Sequence, residues 1–235
     1  MAATQPSVAT KHGGSTVTMR GKAAAAKAEE GSRTRQQLLD IAEELFALHG
    51  PEAVSLRSVT TAAGLATGAV HYHFGTREDL VASVVARRGT SVITRSHDMI
   101  AELERSRARP TARQLLDTMA VPLVAVYDDD PVGGLRWLKL VARLTQSRDP
   151  AVLAGTGRLE RRLDAQLLRA YPNASPEHLR RAWRIAAVML VRMLGDADTP
   201  GAHLPGEESD GVSRDFIEAA IQFCADGLHA AGRRG

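Results

Sequence analysis

Few side chains in this sequence are placed to do covalent chemistry. Cys224 is the only cysteine, so no disulfide can close within one chain, and its apolar neighbours make it a packed thiol. His71 and His73 stand two residues apart, a spacing that does not put both on one helical face. A metal site would need further ligands, so none is expected. There is no glycine-rich phosphate loop and no nucleophile elbow. No catalytic residue, cofactor or metal is therefore expected, and the chain is not read as an enzyme. What remains is a set of hydrogen-bonding side chains between Ser55 and Arg77. Their chemistry suits the recognition of bases and phosphates, provided that the backbone presents them on helices.

The helical period supplies those elements. From Ser32 onward Leu38, Ile41, Ala42, Leu45 and His49 fall on one face, and Gly50-Pro51 ends that helix. Ser55 can cap a short second helix, Leu56 to Ala63, which stops at Gly64. A third runs from about Thr67 to Phe74, and Gly75 ends it. Thr76 opens a fourth, with Asp79 as its capping-box partner, reaching as far as Ser106. Further helical patterns cover 111–128, 134–147, 151–170, 175–194 and 213–231, with Pro122 expected to kink or split the first of these. Residues 195–211 read as a loop, and no strand pattern or repeat occurs. The expectation is an all-α protein of about nine helices. Two short helices after a longer one, with Gly64 between them, make a three-helix DNA-binding unit.

The stretch from Thr34 to Leu80 then resembles the N-terminal domain of the TetR family of transcriptional regulators. The resemblance rests on Ala42, Leu45-Phe46 and Gly50, on Ser55, Val59 and Ala63-Gly64, on Gly68 to Phe74, and on Thr76-Arg77-Glu78 with Leu80, in that order and spacing. It implies a helix-turn-helix over about 55–74, inside a DNA-binding domain of residues 32–80. The small core would be Phe46, Val59, Leu65, Val70, Phe74 and Leu80. The DNA-binding set would be Ser55, Arg57, Thr67, Gly68, Ala69, His71, Tyr72, Thr76 and Arg77. The resemblance gives Arg57 a guanine to read and Arg77 a phosphate to hold. The family's usual Tyr-x-His-Phe run reads His71-Tyr72-His73-Phe74 here. Ala66 stands where a capping Ser or Thr is usual, leaving Thr67 to take over the cap.

Charge is a constraint on this reading. Residues 32–80 hold four basic groups (Arg33, Arg35, Arg57, Arg77) against six acidic ones, Asp40, Glu43, Glu44, Glu52, Glu78 and Asp79. Affinity must come from a few placed arginines and from dimerisation, not from a broad basic field. Residues 1–31, rich in Ala, Thr, Ser, Gly and Lys, read as a disordered arm. It is either a solubilising tail or a basic arm on DNA.

Residues 81–235 are expected to form a ligand-binding and dimerisation body. The last helix has two apolar stripes, Ile217, Ile221, Cys224, Leu228 and Phe216, Ala220, Phe223, Gly227. A helix apolar on two faces is buried on two sides. With Leu179, Trp183, Ala186 and Leu190 of the preceding helix, the second stripe is the expected homodimer interface. A pocket is expected among His97, Met99, Leu103, Leu115, Met119, Tyr127, Trp137, Val141, Arg143 and Met189, with His97 or Arg143 as polar anchor. The expected partners are double-stranded operator DNA, a small-molecule inducer and a second copy of the chain. No stretch approaches a membrane span and no signal-peptide core is present, so the expected location is the cytoplasm. The alternative is a helical binding protein or enzyme without a DNA role. A non-specific nucleoid-type binder sits poorly with a net charge of only +3.

Overall fold

The computed structural model describes residues 15–204 and 211–233, and among these it is all-helical, with ten helices and no strand. Helix α1 (Ser15–His49) is the longest at 35 residues. Its first half departs from expectation: residues 15–31 are helix, while residues 1–14 of the expected arm lie outside the described residues. Ala23 to Ala26 and the Lys and Glu residues around them are strong helix formers. They continue a helix already nucleated by packing from Leu38 onward, so no new nucleus has to form.

The small helices follow as read. A single 3-10 turn (Pro51–Ala53) leads to α2 (Leu56–Ala62), whose cap Ser55 accepts a hydrogen bond from the Ser58 amide. Gly64, at φ +67°, makes the turn to α3 (Gly68–Phe74), a conformation that a β-carbon resists. Helix α4 (Arg77–Arg105) opens with Thr76 and Asp79 satisfying each other's backbone N–H groups. The body comprises α5 (Ala112–Asp129), α6 (Pro131–Ser147), α7 (Pro150–Leu153), α8 (Gly157–Ala170), α9 (Pro176–Gly195) and α10 (Arg214–Gly232).

Three element expectations are corrected. Pro122 does not split α5, which is one continuous helix. The ring costs one backbone bond, while Leu115, Leu116, Leu123 and Val126 hold both halves in the core. The pattern over 151–170 divides at Gly155, where φ is +79°. Helix α6 starts at Pro131, because Asp130 caps it by accepting from the Gly133 amide and proline at the first helical position needs no donor.

The core lies in two clusters. One gathers Phe46, Val59, Val70, Phe74 and Leu80 of the small domain, with Leu65 half-buried against them. Leu140 and Leu144 of α6 are fully part of it. The second fills the space between α5, α6, α8, α9 and α10. Helix α4 crosses both regions, and the Trp137 indole of α6 donates to the Val85 carbonyl of α4 at 3.1 Å.

An ionic junction completes this seam. Glu43 of α1 is 3% exposed and accepts from Arg88 of α4 at 3.2 Å. Arg88 also donates at 2.7 Å to Asp130, the cap of α6, and Arg87 pairs with Asp40 at 2.6 Å. The Arg88 guanidinium, and after it the Gly133 amide, hold the Asp130 carboxyl below the usual carboxylate range. A buried carboxylate persists only when paired, and removing one partner strands the others. Glu43→Ala should therefore cost about 3 kcal/mol of stability. The isosteric Glu43→Gln should cost less, as read by urea unfolding midpoints of the two variants.

Candidate nucleic-acid interface

The period of α3 decides what it presents. Val70 and Phe74, four residues apart, are buried against the small-domain core, which turns Thr67, Gly68, His71 and Tyr72 outward. Tyr72 is 83% exposed and meets His73 edge-on, so it is not a core residue. Ala69 is half-buried. Thr67 occupies the cap position of α3, but its hydroxyl makes no capping bond, contrary to expectation; its backbone is already helical and lacks the extended geometry typical of a capping residue.

The other expected contacts divide by what already occupies them. Ser55 and Thr76 are exposed, yet each hydroxyl is engaged in capping its own helix. Arg57, on the first turn of α2, is exposed, and no ion pair or hydrogen bond engages its guanidinium among the described residues. Arg77 is different: its guanidinium donates at 2.5 Å to the Pro51 carbonyl, tying the start of α4 to the turn after α1. His71 donates from Nδ1 to the Gly75 carbonyl at 2.9 Å. Because a carbonyl only accepts, the neutral ring carries its proton on Nδ1 and offers Nε2 as an acceptor. In that form it cannot donate to a phosphate.

At the other end of the molecule α9 and α10 pack together and leave an apolar groove of about 480 Å³ facing outward. Ile185 is 60% and Phe223 62% exposed along it, with Gly227 open beside them. Of the residues expected at a dimer interface, Phe223 and Gly227 lie here, and Trp183 and Phe216 are half-buried. Leu179, Ala186, Leu190 and Ala220 are buried in the monomer's own core. Ala186 alone of these also reaches the groove wall. The outward stripe of α9 is instead Ala182, Ile185 and Met189. Adjacent stripes on an apolar helix differ by one residue's rotation, about 100°, which periodicity alone does not resolve.

Comparison with known proteins decides the family. Residues 38–84 match the model of the bacterial regulatory proteins of the tetR family, and residues 117–227 match the tetracyclin repressor-like C-terminal domain. The HTH-type transcriptional repressor Rv3405c of Mycobacterium tuberculosis is 30% identical over 182 residues, covering 75% of this chain and 86% of that one. This chain belongs to the TetR family. A second relative, the HTH-type transcriptional repressor AcnR of Corynebacterium glutamicum, is 27% identical over 116 residues, 48% of this chain and 61% of its own. Among solved structures, SmeT of Stenotrophomonas maltophilia superposes with a TM-score of 0.53 at 17% identity, covering 84% of this chain and 89% of that one. The chain is thus a DNA-binding transcriptional regulator and not an enzyme. No helix among the described residues is long and apolar enough to cross a membrane.

In this TetR-family body the expected pocket residues are divided between the core and two separate grooves. Leu115, Trp137 and Val141 are buried in the core, and Leu103, Met119, Tyr127 and Met189 pack against it. Met99 is half-buried. His97 accepts from Arg162 at 2.9 Å, and Arg162 is itself paired with Glu104 at 2.7 Å. Burial, and after it the Arg162 guanidinium, push the His97 imidazole below its ordinary range. It is a neutral hydrogen-bond partner and not a cationic anchor. Arg143 is exposed and lies with Tyr127 on a groove of about 650 Å³ on the outside of α6. Cys224 is buried, as read, and burial pushes its thiol pKa up.

Arg77 is the position where sequence and structure part most usefully. A charged hydrogen bond to a carbonyl contributes about 1.5–3 kcal/mol, and partial exposure lowers that figure. Arg77→Ala should lower domain stability by about 1–2 kcal/mol without DNA present. Arg77→Lys should recover part of the loss, and thermal unfolding of both variants checks this.

Proposed function

We propose that this TetR-family regulator is a repressor that binds an inverted-repeat operator as a homodimer and releases it on binding a small-molecule inducer. The observation that carries the reading is the division of α3 into a buried Val70-Phe74 edge and an exposed edge of Thr67, Gly68, His71 and Tyr72. A short helix fastened from behind and polar in front is suited to the major groove. Unpaired Arg57 beside it has the fork that fits guanine O6 and N7. His71, with Nε2 as an acceptor, suits an exocyclic amino group of adenine or cytosine better than a phosphate. The repressor role follows the names of the mycobacterial and corynebacterial relatives. A regulator of this kind acts in the cytoplasm, where the DNA is.

A second copy fits the α9–α10 groove. Exposed Ile185 and Phe223 bracket a floor of small residues that lets helices approach closely. Two such chains form a twofold dimer, with reading helices one DNA turn apart, about 34–36 Å. Release would run along α4, which begins at Arg77 in the small domain and reaches Leu103 beside the body core. The inducer would have to displace flexible side chains such as Met99, Leu103 and Met119. It weakens operator binding only by its differential affinity for the two arrangements.

Two measurements test the reading. Selection from a random duplex pool should enrich an inverted repeat, and Arg57→Ala should cost roughly 1–3 kcal/mol per half-site and relax one base pair. A pool that yields no common sequence would overturn the operator. Phe223→Glu should give monomers at micromolar concentration by sedimentation, while the parent chain sediments as a dimer. A monomeric parent would end the homodimer claim.

A further inference from the structure

The small domain is short of free positive charge. Of its four basic groups, Arg77 is engaged by the Pro51 carbonyl and Arg33 pairs with Glu29 at 3.9 Å. Arg35 lies over the Phe74 ring, 4.9 Å from its centroid. That leaves Arg57 unengaged, in a domain with six acidic residues. Duplex affinity depends on neutralising several phosphates, each contributing about 0.9 to the salt slope. One free arginine per half-site supplies little of this.

The N-terminal half of α1 carries what is missing. Residues 15–31 continue the helix beyond the small domain for about 25 Å, at about 1.5 Å per residue. This segment holds Arg20, Lys22 and Lys27 against Glu29 and Glu30, with both acids at the end next to the small domain and the cations beyond them. Lys22 and Lys27 are exposed, and neither has an ion-pair partner among the described residues. The helix also leaves the domain in a defined place. Gln37 donates to the Ala63 carbonyl at the end of α2, and Arg35 covers Phe74 at the end of α3. The face of α1 turned toward α2 and α3 runs through buried Leu38 and half-buried Thr34 and Gly31. Counted back seven residues from Thr34, the same stripe carries position 27. Lys27 therefore continues the side of α1 on which α3 lies.

We infer that the N-terminal half of α1 is a second DNA-binding element that lies along the phosphates flanking the site read by α3. It supplies sequence-independent affinity, while α3 and Arg57 supply base preference. The inference rests on the operator reading above, and the test separates the two. The probes are a duplex of about 30 base pairs enriched from a random pool and a scrambled duplex of the same composition. Each is titrated by fluorescence anisotropy between about 50 and 200 mM salt. The full-length chain with Arg20→Ala, Lys22→Ala and Lys27→Ala keeps good helix formers at all three positions. Its salt slope should fall by about 2–3 per half-site, with affinity for both duplexes reduced about tenfold or more and the preference between them unchanged. Ala24→Lys, on the same stripe, should raise the slope by about 1 per half-site, a gain that misfolding cannot produce. Arg57→Ala should do the opposite of the triple variant, narrowing the preference between the two duplexes while the slope is nearly kept. Unchanged slopes in the triple variant and in Ala24→Lys would overturn the inference while leaving the operator reading intact. An unchanged slope with a shift toward monomer in sedimentation would overturn it in favour of a helix that pairs with a second copy. A parent chain that binds neither duplex would overturn both.

Discussion

A buried carboxylate sets the terms for the whole molecule. Glu43 lies where α1, α4 and the start of α6 meet, and it is tolerated there because Arg87 and Arg88 come to it. Desolvating a charge is costly, so α1, which carries Glu43, and α4, which supplies both partners, cannot separate freely. Asp130 extends the constraint, because the same carboxylate that binds Arg88 caps α6. Leu140 and Leu144 add apolar area to the same seam. The DNA-reading domain is thus seated on the body through α6 as well as through the continuous α4. A motion of the small domain relative to its own body would strain or rearrange this junction.

The division between base reading and affinity follows from the same economy of charge. A small domain with more acids than bases gains little from long-range attraction, so the few cations count according to what already occupies them. Arg77 and Arg35 hold helices and rings in place, and Arg57 remains available. Tyr72 adds an exposed aromatic with a hydroxyl tip, able to contact either a base methyl or a phosphate. His71 is turned into an acceptor by one bond to Gly75, a change in character that residue identity alone conceals.

The body shows how neighbouring stripes of one helix take different fates. On α10 the Ile217, Ile221, Cys224 and Leu228 stripe is buried in the monomer, and Phe223 with Gly227 is left outside. On α9 the corresponding outer residues are Ile185 and Met189. Leu115, Trp137 and Val141 are packing material between the helices, and a ligand placed there would have to compete with contacts that already stabilise the fold.

Several features were legible in the sequence because they depend on neighbours a few residues away. The caps at Ser55 and Thr76, the turn at Gly64, the burial of Phe46, Val59, Val70, Phe74 and Leu80, and the family motif all follow from local spacing. The all-α class follows from a 3.6-residue period sustained along the chain. Other features needed the third dimension. Whether residues 15–31 were arm or helix depended on their continuity with a packed segment, and whether Arg77 faced solvent depended on the Pro51 carbonyl 26 positions earlier. Which apolar stripe faced inward was decided by the helices packed against it. The physical reason is the same in each case: helix formation is a local balance of propensity and capping, whereas the partner of a charge and the buried side of a helix are set by contacts between segments far apart in the chain.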